Sequence, residues 1–372
     1  KSLREGWGAR TRLKDASSTD VVVHGGVAAS SFYQCGDIYE LNPRTLESLG
    51  KAYWVNDVTP GWGVSAHTKV DESTGEMLFF NYSKTAPYMH YGVVNRDRRL
   101  VHYIPIELPG PRLPHDMAFT KNYAILNDFP LFWDPEALKS DAHAVRFFRD
   151  MPSRFAIVPR RGSSDEVRWF EASPTFVLHW INAYEDDDEI VLDGYYESNP
   201  SPNIKPDPND LKSLYKTLDV SVIGAQAYRW RFNLVTGEVK EGPLDDQAAE
   251  FGMINPSHAG QPYRYTWSMT NKPGWFLFDG MTRLDVETGN KQVFRFPKGV
   301  FASESPMAPR VNSSAEDDGY VVTFVSDMNK DSSAAWIFDA SDISLGPIAQ
   351  LSLPERISSG THSYWAGRPS IS

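Results

Sequence analysis

The sequence predicts an all-β fold built from repeated hairpins, and a β-propeller is the architecture that this pattern favours. Two observations carry the prediction: short strand-like runs occur along the chain, and one type of turn recurs between them. A third observation is that helix-forming segments are few. Propellers repeat four-stranded antiparallel blades around an axis, so a long chain can consist of consecutive hairpins. A jelly roll or a large sandwich remains the alternative, because the repeat has no fixed period.

The strand-like runs are rich in β-branched and aromatic residues and are bounded by Gly, Pro, Asn or Asp, which is typical of short strands. They are Asp20–His24, Met77–Phe80, Tyr91–Val94, Arg154–Val158, Glu189–Leu192, Trp275–Phe278, Tyr320–Val325 and Ala335–Phe338.

The recurring turn begins with Asp or Asn, and most copies end on Gly. Its copies are Asn42–Thr45, Asp71–Gly75, Asn233–Gly237 and Asp285–Gly289. The Asp or Asn side chain can accept a backbone N–H two residues further on, and Gly adopts positive φ without strain. We therefore expect each copy to close a hairpin.

Only two segments predict helices, Pro135–Lys139 and Asp210–Tyr215. The stretch 197–210 is polar and rich in proline, which indicates a surface loop or a lid.

Charge and composition exclude several functions. Lys and Arg number 37 and Asp and Glu 48, a net charge of −11, which argues against nucleic acid as a partner. No apolar run approaches the ~18 residues of a membrane span. The single cysteine, Cys35, excludes an intrachain disulfide and a cysteine-based metal site. We expect a cytoplasmic protein, with peripheral contact to a membrane as an open alternative.

Four of the nine histidines lie at or beside the end of a strand-like run: His67, His115, His179 and His362. Their wide separations fit one ligand per propeller blade, all pointing at the central axis. However, such separations lack the local spacing of a helical metal motif. For each histidine taken alone, an ordinary surface or core position is the alternative.

The segments around these histidines resemble the four histidine motifs of the carotenoid oxygenase family. That family includes carotenoid and apocarotenoid cleavage dioxygenases, lignostilbene dioxygenases and the retinoid isomerase. The matching segments are 66–71, 114–120, 179–185 and 353–365. The resemblance implies a seven-bladed β-propeller, with short helices and loops capping the face that holds an iron site. It further implies a single domain over residues 1–372 that lacks the N-terminal part family members carry.

The resemblance also implies the residues of the site. His67, His115, His179 and His362 would bind Fe(2+), and Glu250 and Glu304 would accept the outer N–H of liganding imidazoles. A third carboxylate is usual eight residues before the first hairpin turn, but this chain has Gln34 there. A glutamine carbonyl can still accept an N–H, although it brings no charge. The lignostilbene branch often has a lysine where this chain has Tyr33.

Four neutral imidazoles suit a borderline divalent metal, and oxygen chemistry selects Fe(II). The implied activity is a dioxygenase that uses O2 to cleave a C=C bond of an apolar conjugated substrate, a carotenoid or apocarotenoid, to two carbonyl products. Cleavage of stilbenoids or other phenylpropenoids is one alternative. A non-catalytic scaffold with a decayed metal site is another, and isomerisation or hydrolysis of a retinoid-like ester is a third. The sequence predicts no oligomeric state.

Overall fold

The computed structural model describes residues 15–205, 207, 209–358 and 360–367. These residues divide into two compact units, one extending to Leu178 and including Ala366 and Gly367, the other spanning His179–Trp365. Each unit is dominated by antiparallel strands. A single domain over residues 1–372 stays a prediction.

The first unit contains fourteen strands among its described residues. They are β1 (Asp20–His24), β2 (Val27–Ser31), β3 (Tyr39–Leu41), β4 (Ser48–Lys51), β5 (Lys69–Asp71), β6 (Glu76–Tyr82), β7 (Tyr88–Val94), β8 (Leu100–Glu107), β9 (Ala118–Phe119), β10 (Tyr123–Asp128), β11 (Leu131–Trp133), β12 (Val145–Phe147), β13 (Ser153–Pro159) and β14 (Arg168–Ala172). Strands β1–β4 and β5–β8 form two four-stranded meanders, and a third sheet has the order β14-β13-β10-β9. Strands β11 and β12 form a separate ribbon.

The described part of the second unit adds twelve strands, which form one antiparallel sheet. They are β15 (Trp180–Asp186), β16 (Glu189–Glu197), β17 (Ala225–Asn233), β18 (Val239–Met253), β19 (Tyr265–Asn271), β20 (Phe278–Asp285), β21 (Lys291–Arg295), β22 (Val300–Ala302), β23 (Met307–Pro309), β24 (Gly319–Asp327), β25 (Ser332–Asp339) and β26 (Ala349–Ser352). The order is β15-β16-β17-β18-β19-β20-β22-β24-β25-β26, with β21 on β20 and β23 on β24. The 15-residue strand β18 pairs with β17 through its first part and with β19 through its last. It therefore carries the sheet from one meander into the next.

The predicted hairpin turns are confirmed. The Asp71 side chain accepts the N–H of Ser73 at 3.0 Å, and the same contact recurs at Asn42, Asn233 and Asp285. The glycine that ends three of these turns has φ between +72° and +77°. Local side-chain chemistry therefore closes these four hairpins, as the sequence pattern predicts.

Seven of the eight predicted strands lie within observed strands, and Trp275–Phe278 is the exception. Only Phe278 belongs to a strand, because Lys272 N–H donates to the Leu277 carbonyl at 2.7 Å and closes a hairpin loop there. Gly274 lies inside this loop with φ +88°. The aromatic residues of this run therefore belong mostly to a connection.

The helices are short. They are α1 (Pro135–Leu138) and α2 (Val220–Ile223), with 3₁₀ helices at Tyr53–Asp57, Ser164–Glu166, Leu211–Leu218, Pro256–His258 and Ile343–Leu345. Helix α1 is capped by Asp134, whose carboxylate accepts the N–H of Glu136 at 2.9 Å. Both predicted helices are present, the second as the 3₁₀ helix that Asp210 caps. Residues 198–205 form the predicted loop.

Candidate metal centre

His67 and His115 lie side by side in the first unit. His67 precedes strand β5 and His115 precedes β9. Their Nε2 atoms are 3.0 Å apart, and their ring centroids are 4.7 Å apart. Two such nitrogens either share a proton or direct their lone pairs at one cation. Both arrangements fit this spacing: it suits an N–H···N hydrogen bond, and two ligands bound at right angles at about 2.1 Å are also about 3 Å apart.

Asp20 orients the His67 ring. The Nδ1–H of His67 donates to Asp20 Oδ2 at 2.9 Å, and the other carboxylate oxygen accepts the N–H of Val21 at 2.7 Å. Because the proton of the neutral ring is then on Nδ1, the lone pair is on Nε2, the atom that faces His115. The carboxylate thus selects the tautomer that a metal ligand needs.

Gln34 does not make the contact expected of it. Its buried Oε1 atom accepts no hydrogen bond from any described residue, and the residue that holds the His67 ring is Asp20. Gln34 lies in the connection between β2 and β3, whereas Asp20 is the first residue of β1. Gln34 was predicted from its distance along the chain to the first hairpin turn. That distance does not show which strand packs beside the imidazole.

Ion pairs join the first two histidine motifs to each other and to the rest of their unit. Lys69 Nζ lies 2.7 Å from the carboxylate of Asp116, the residue after His115. The Arg160 guanidinium lies 2.7 Å from Asp71. Burial alone would raise the pKa of Asp71, but hydrogen bonds from Ser73 and Arg160 outweigh it and hold that pKa below its usual value. These motif residues therefore fix the segments that carry the histidines.

His179 and His362 form a second pair within the second unit. Their ring centroids are 4.8 Å apart and their planes are inclined by 78°. The Nδ1–H of His179 donates to Glu250 at 2.6 Å, and the Nδ1 of His362 lies 3.4 Å from Glu304 Oε1. Each imidazole is therefore oriented by a carboxylate in the same sense as His67, with Nε2 as the atom that carries the lone pair.

A bulge in β18 places Glu250. The pairing of β18 with β19 shifts register between Glu250 and Met253, and Phe251 adopts φ +56° there. The Phe251 N–H donates to the Glu250 carboxylate at 2.8 Å, and the Phe251 ring stacks on His179 at a centroid distance of 4.8 Å. The same ring meets His362 edge to face at 5.2 Å. Phe251 therefore packs against both motif histidines of this unit, His179 and His362.

Glu304 fixes the segment that carries His362. Its carboxylate accepts the N–H of Ser363 at 2.7 Å, and its own N–H donates to the Thr361 carbonyl at 3.3 Å. These two contacts flank His362 along the chain. One glutamate therefore both anchors the segment after β26 and orients the imidazole within it.

The remaining histidines have other surroundings. His24 Nε2 lies 3.1 Å from the Gly75 carbonyl, and His258 Nδ1 lies 2.8 Å from the Pro262 carbonyl. His90 packs between Trp62 and Tyr103. The other two are His102, which packs on Tyr91, and His143, which packs on Trp133.

The profile of the family described as retinal pigment epithelial membrane protein matches residues 3–367. The chain belongs to this family, the carotenoid oxygenases. Among curated relatives, carotenoid 9,10(9',10')-cleavage dioxygenase 1 of Pisum sativum is 34% identical over 336 residues, which cover 86% of this chain and 60% of that protein. The chain thus spans about 60% of the length of this relative.

Solved structures of carotenoid oxygenases share the fold. Pseudomonas brassicacearum lignostilbene dioxygenase matches with a TM-score of 0.82 and 26% identity, over 96% of this chain and 76% of that one. Cobalt-substituted Synechocystis apocarotenoid oxygenase matches with a TM-score of 0.84 and 23% identity over the same shares. The predicted all-β propeller class is therefore confirmed, while the number of seven blades stays a prediction.

The first unit also has a groove of about 520 Å³. Aromatic side chains of Tyr88, Phe132 and Trp133 line it, and the Arg112 guanidinium lies 4.0 Å from the centre of the Phe132 ring. Arg112 is three residues before His115 in the chain, so the groove borders a segment that carries one of the histidines.

Sequence reasoning missed two residues of this family member's candidate site, Asp20 and Phe251. Asp20 opens a predicted strand and carries no local motif, and Phe251 is one more aromatic residue in an apolar strand. The family segment around Glu250 was the one available signal for Phe251, because the residue follows it directly. Among the helices that the structure describes, none has the length and apolar character that crossing a bilayer requires.

Proposed function

We propose that this protein is a non-haem Fe(II)-dependent dioxygenase that cleaves a C=C double bond of a conjugated substrate to two carbonyl products. The observation that carries the proposal is the donor set. Three imidazoles of the family motifs, those of His67, His179 and His362, each direct Nδ1 at a carboxylate. This pattern is typical of metal-ligating histidines. With His115, whose Nε2 faces that of His67, they would make a four-histidine ligand set.

The residues fit the metal, because neutral imidazole nitrogen suits iron and other borderline divalent ions. When bound, ferrous iron would supply the activation of O2 beside the electron-rich double bond. Asp20, Glu250 and Glu304 would each keep a ring proton on Nδ1, which leaves Nε2 as the donor atom. Burial of His67 and His179 limits water around those rings. No general base or nucleophile is required of the chain.

Carotenoids or apocarotenoids are the proposed substrates. The curated relative named above is a carotenoid cleavage dioxygenase, and the aromatic groove offers flat apolar walls to a rigid polyene. Cleavage of stilbenoids is the second candidate, since a lignostilbene dioxygenase shares the fold. O2 would be the second substrate.

Metal analysis of the anaerobically purified chain tests the proposal first. We expect about one iron per chain, lost on His67→Ala or His179→Ala, while circular dichroism shows a folded protein. His143→Ala is the matched control and should keep its iron, because His143 contacts Lys84 and Trp133 instead of another motif residue. A wild-type chain that takes up no iron after reconstitution with Fe(II) would favour a scaffold.

Oxygen consumption with an apocarotenal and with a stilbene separates the remaining alternatives. Stoichiometric O2 uptake with two carbonyl products supports the dioxygenase, and the faster substrate identifies the class. Turnover of a retinoid-like ester without O2 uptake would contradict it. Trp133→Ala should raise the KM for the substrate without changing the iron content, whereas Trp169→Ala, outside the groove, should change neither.

A further inference from the structure

Asp20 and His67 form a contact that the family motifs do not contain. Asp20 is the first residue of β1, and His67 lies 47 residues further along the chain. Asp20 Oδ2 accepts the Nδ1–H of His67 at 2.9 Å, while Oδ1 accepts the N–H of Val21 at 2.7 Å. The backbone contact fixes the carboxylate and thereby the direction in which it approaches the ring. The Asp20 side chain is 15% exposed and the His67 side chain 3%.

Further contacts hold β1 and β2 along the segment that carries His67. The Ser31 hydroxyl at the end of β2 donates to the carbonyl of Ala66, the residue before His67, at 2.7 Å. At the other end of β1, His24 Nε2 lies 3.1 Å from the Gly75 carbonyl in the turn after β5. The first sheet therefore contacts the residues on both sides of β5. These contacts fix the position of Asp20 relative to His67.

The family places a carboxylate where this chain has Gln34, whose side-chain oxygen accepts no hydrogen bond from the described residues. Asp20, the first residue of β1, instead provides a carboxylate for the imidazole of His67. We propose, on the basis of the function proposed above, that Asp20 is a positioning residue that supplies the negative charge missing at Gln34 and holds His67 in its metal-binding tautomer.

The two parts of this role, charge and hydrogen-bond acceptance, can be separated by substitution. Asp20→Asn keeps an oxygen that can accept from Nδ1 but removes the charge, whereas Asp20→Ala removes both. Loss of a partner that orients a liganding histidine typically weakens metal binding by about 10–100-fold. We expect about 10-fold weaker binding in Asp20→Asn and a loss nearer to 100-fold in Asp20→Ala.

The matched control is Glu40→Gln. Glu40 is a buried carboxylate in the same four-stranded sheet, and it pairs with the Arg98 guanidinium instead of a histidine. Its substitution removes the same charge from the same sheet. We expect lower stability in this variant but unchanged metal affinity of the folded protein.

The experiment measures Co(II) and Fe(II) affinity of the folded full chain by competition with a chelator, together with the Co(II) absorption spectrum. Weaker binding and a changed spectrum in Asp20→Asn, with neither change in Glu40→Gln, supports the proposal. A purely structural role would lower stability in both variants and leave affinity and spectrum as in the wild type, which would overturn it.

A second readout keeps this proposal distinct from the iron-dependent function. In the metal-free chain with ¹⁵N-labelled histidine, NMR reports which nitrogen of His67 carries the proton. The wild type should show the Nδ1–H tautomer, and Asp20→Ala should show a tautomer mixture. If the wild type binds no metal, the proposed function is refuted. The tautomer of His67 in the wild type and in Asp20→Ala still shows whether Asp20 positions the ring. An unchanged tautomer in Asp20→Ala would refute that role.

Discussion

Replacing Glu250 tests how much one buried carboxylate contributes to the candidate metal centre. Glu250 is only 1% exposed, and its carboxylate accepts the Nδ1–H of His179 at 2.6 Å and the N–H of Phe251 at 2.8 Å. Glu250→Ala leaves both donors buried without this acceptor. Each buried donor left unsatisfied costs about 1–3 kcal/mol, so the free energy of unfolding should fall by about 2–6 kcal/mol.

Glu250→Gln should lower the free energy of unfolding far less than Glu250→Ala. A glutamine oxygen can take the place of the oxygen that accepts both hydrogen bonds, so mainly the charge is lost, which we expect to lower stability by about 1–2 kcal/mol. Metal affinity should still fall, by about 10-fold or more, because the neutral amide stabilises the liganding imidazole less.

Glu197→Gln is the matched control. Burial, and then the charge of Glu250, raise the pKa of Glu197 well above its usual value, which favours a neutral acid. Its replacement by an amide of the same shape removes no charge and should leave stability and metal affinity nearly unchanged. Urea unfolding followed by tryptophan fluorescence, with and without Fe(II), measures both quantities. Wild-type stability and iron affinity in Glu250→Ala would refute the reasoning.

Three further predictions concern the scaffold. Burial lowers the pKa of His90 to about 4. Between about pH 7 and about pH 5, His90 therefore takes up a proton in the unfolded chain but stays neutral in the native protein. The free energy of unfolding should fall by about 2 kcal/mol over this range. His90→Phe should remove this slope in urea titrations. Arg160→Met leaves the buried carboxylate of Asp71 without its guanidinium partner and should cost about 3–5 kcal/mol in chemical denaturation. Gly194→Ala would place a methyl group 2.4 Å from the ring of Trp180, beside His179, and should cost about 1–3 kcal/mol and reduce iron content.

Each of these predictions has an outcome that contradicts it. An equal pH slope in wild type and His90→Phe would assign the slope to other groups. Arg160→Met at wild-type stability would mean that water or another cation compensates Asp71. Full iron content in Gly194→Ala would show that Trp180 moves without disturbing His179.

The elements that depend on neighbouring residues could be predicted from the sequence. Asp71 and Gly75 form their turn because an aspartate side chain reaches the N–H two residues on and glycine accepts positive φ. The same reasoning failed at Trp275–Phe278, where an apolar aromatic run looks like a strand. The chain there turns at Gly274, and Phe276 and Phe278 both pack on Phe251.

The candidate site could be predicted only in part. The motif histidines and the two glutamates could be named from their segments, but Asp20 could not, because its contact joins strand β1 to a residue 47 positions further along the chain. The conformation of Phe251 could not be predicted from the sequence either. Its φ of +56° within a strand results from the β-bulge and not from the preference of phenylalanine.

The residue pattern of this chain is enough to set its hairpins, its histidine motifs and its family. The partner of each imidazole depends instead on how separate strands pack. Asp20, Glu250 and Glu304 meet their histidines across 47, 71 and 58 residues. Turn and strand preferences act over a few neighbouring residues, whereas these contacts depend on strand register, on a bulge and on the packing of whole sheets.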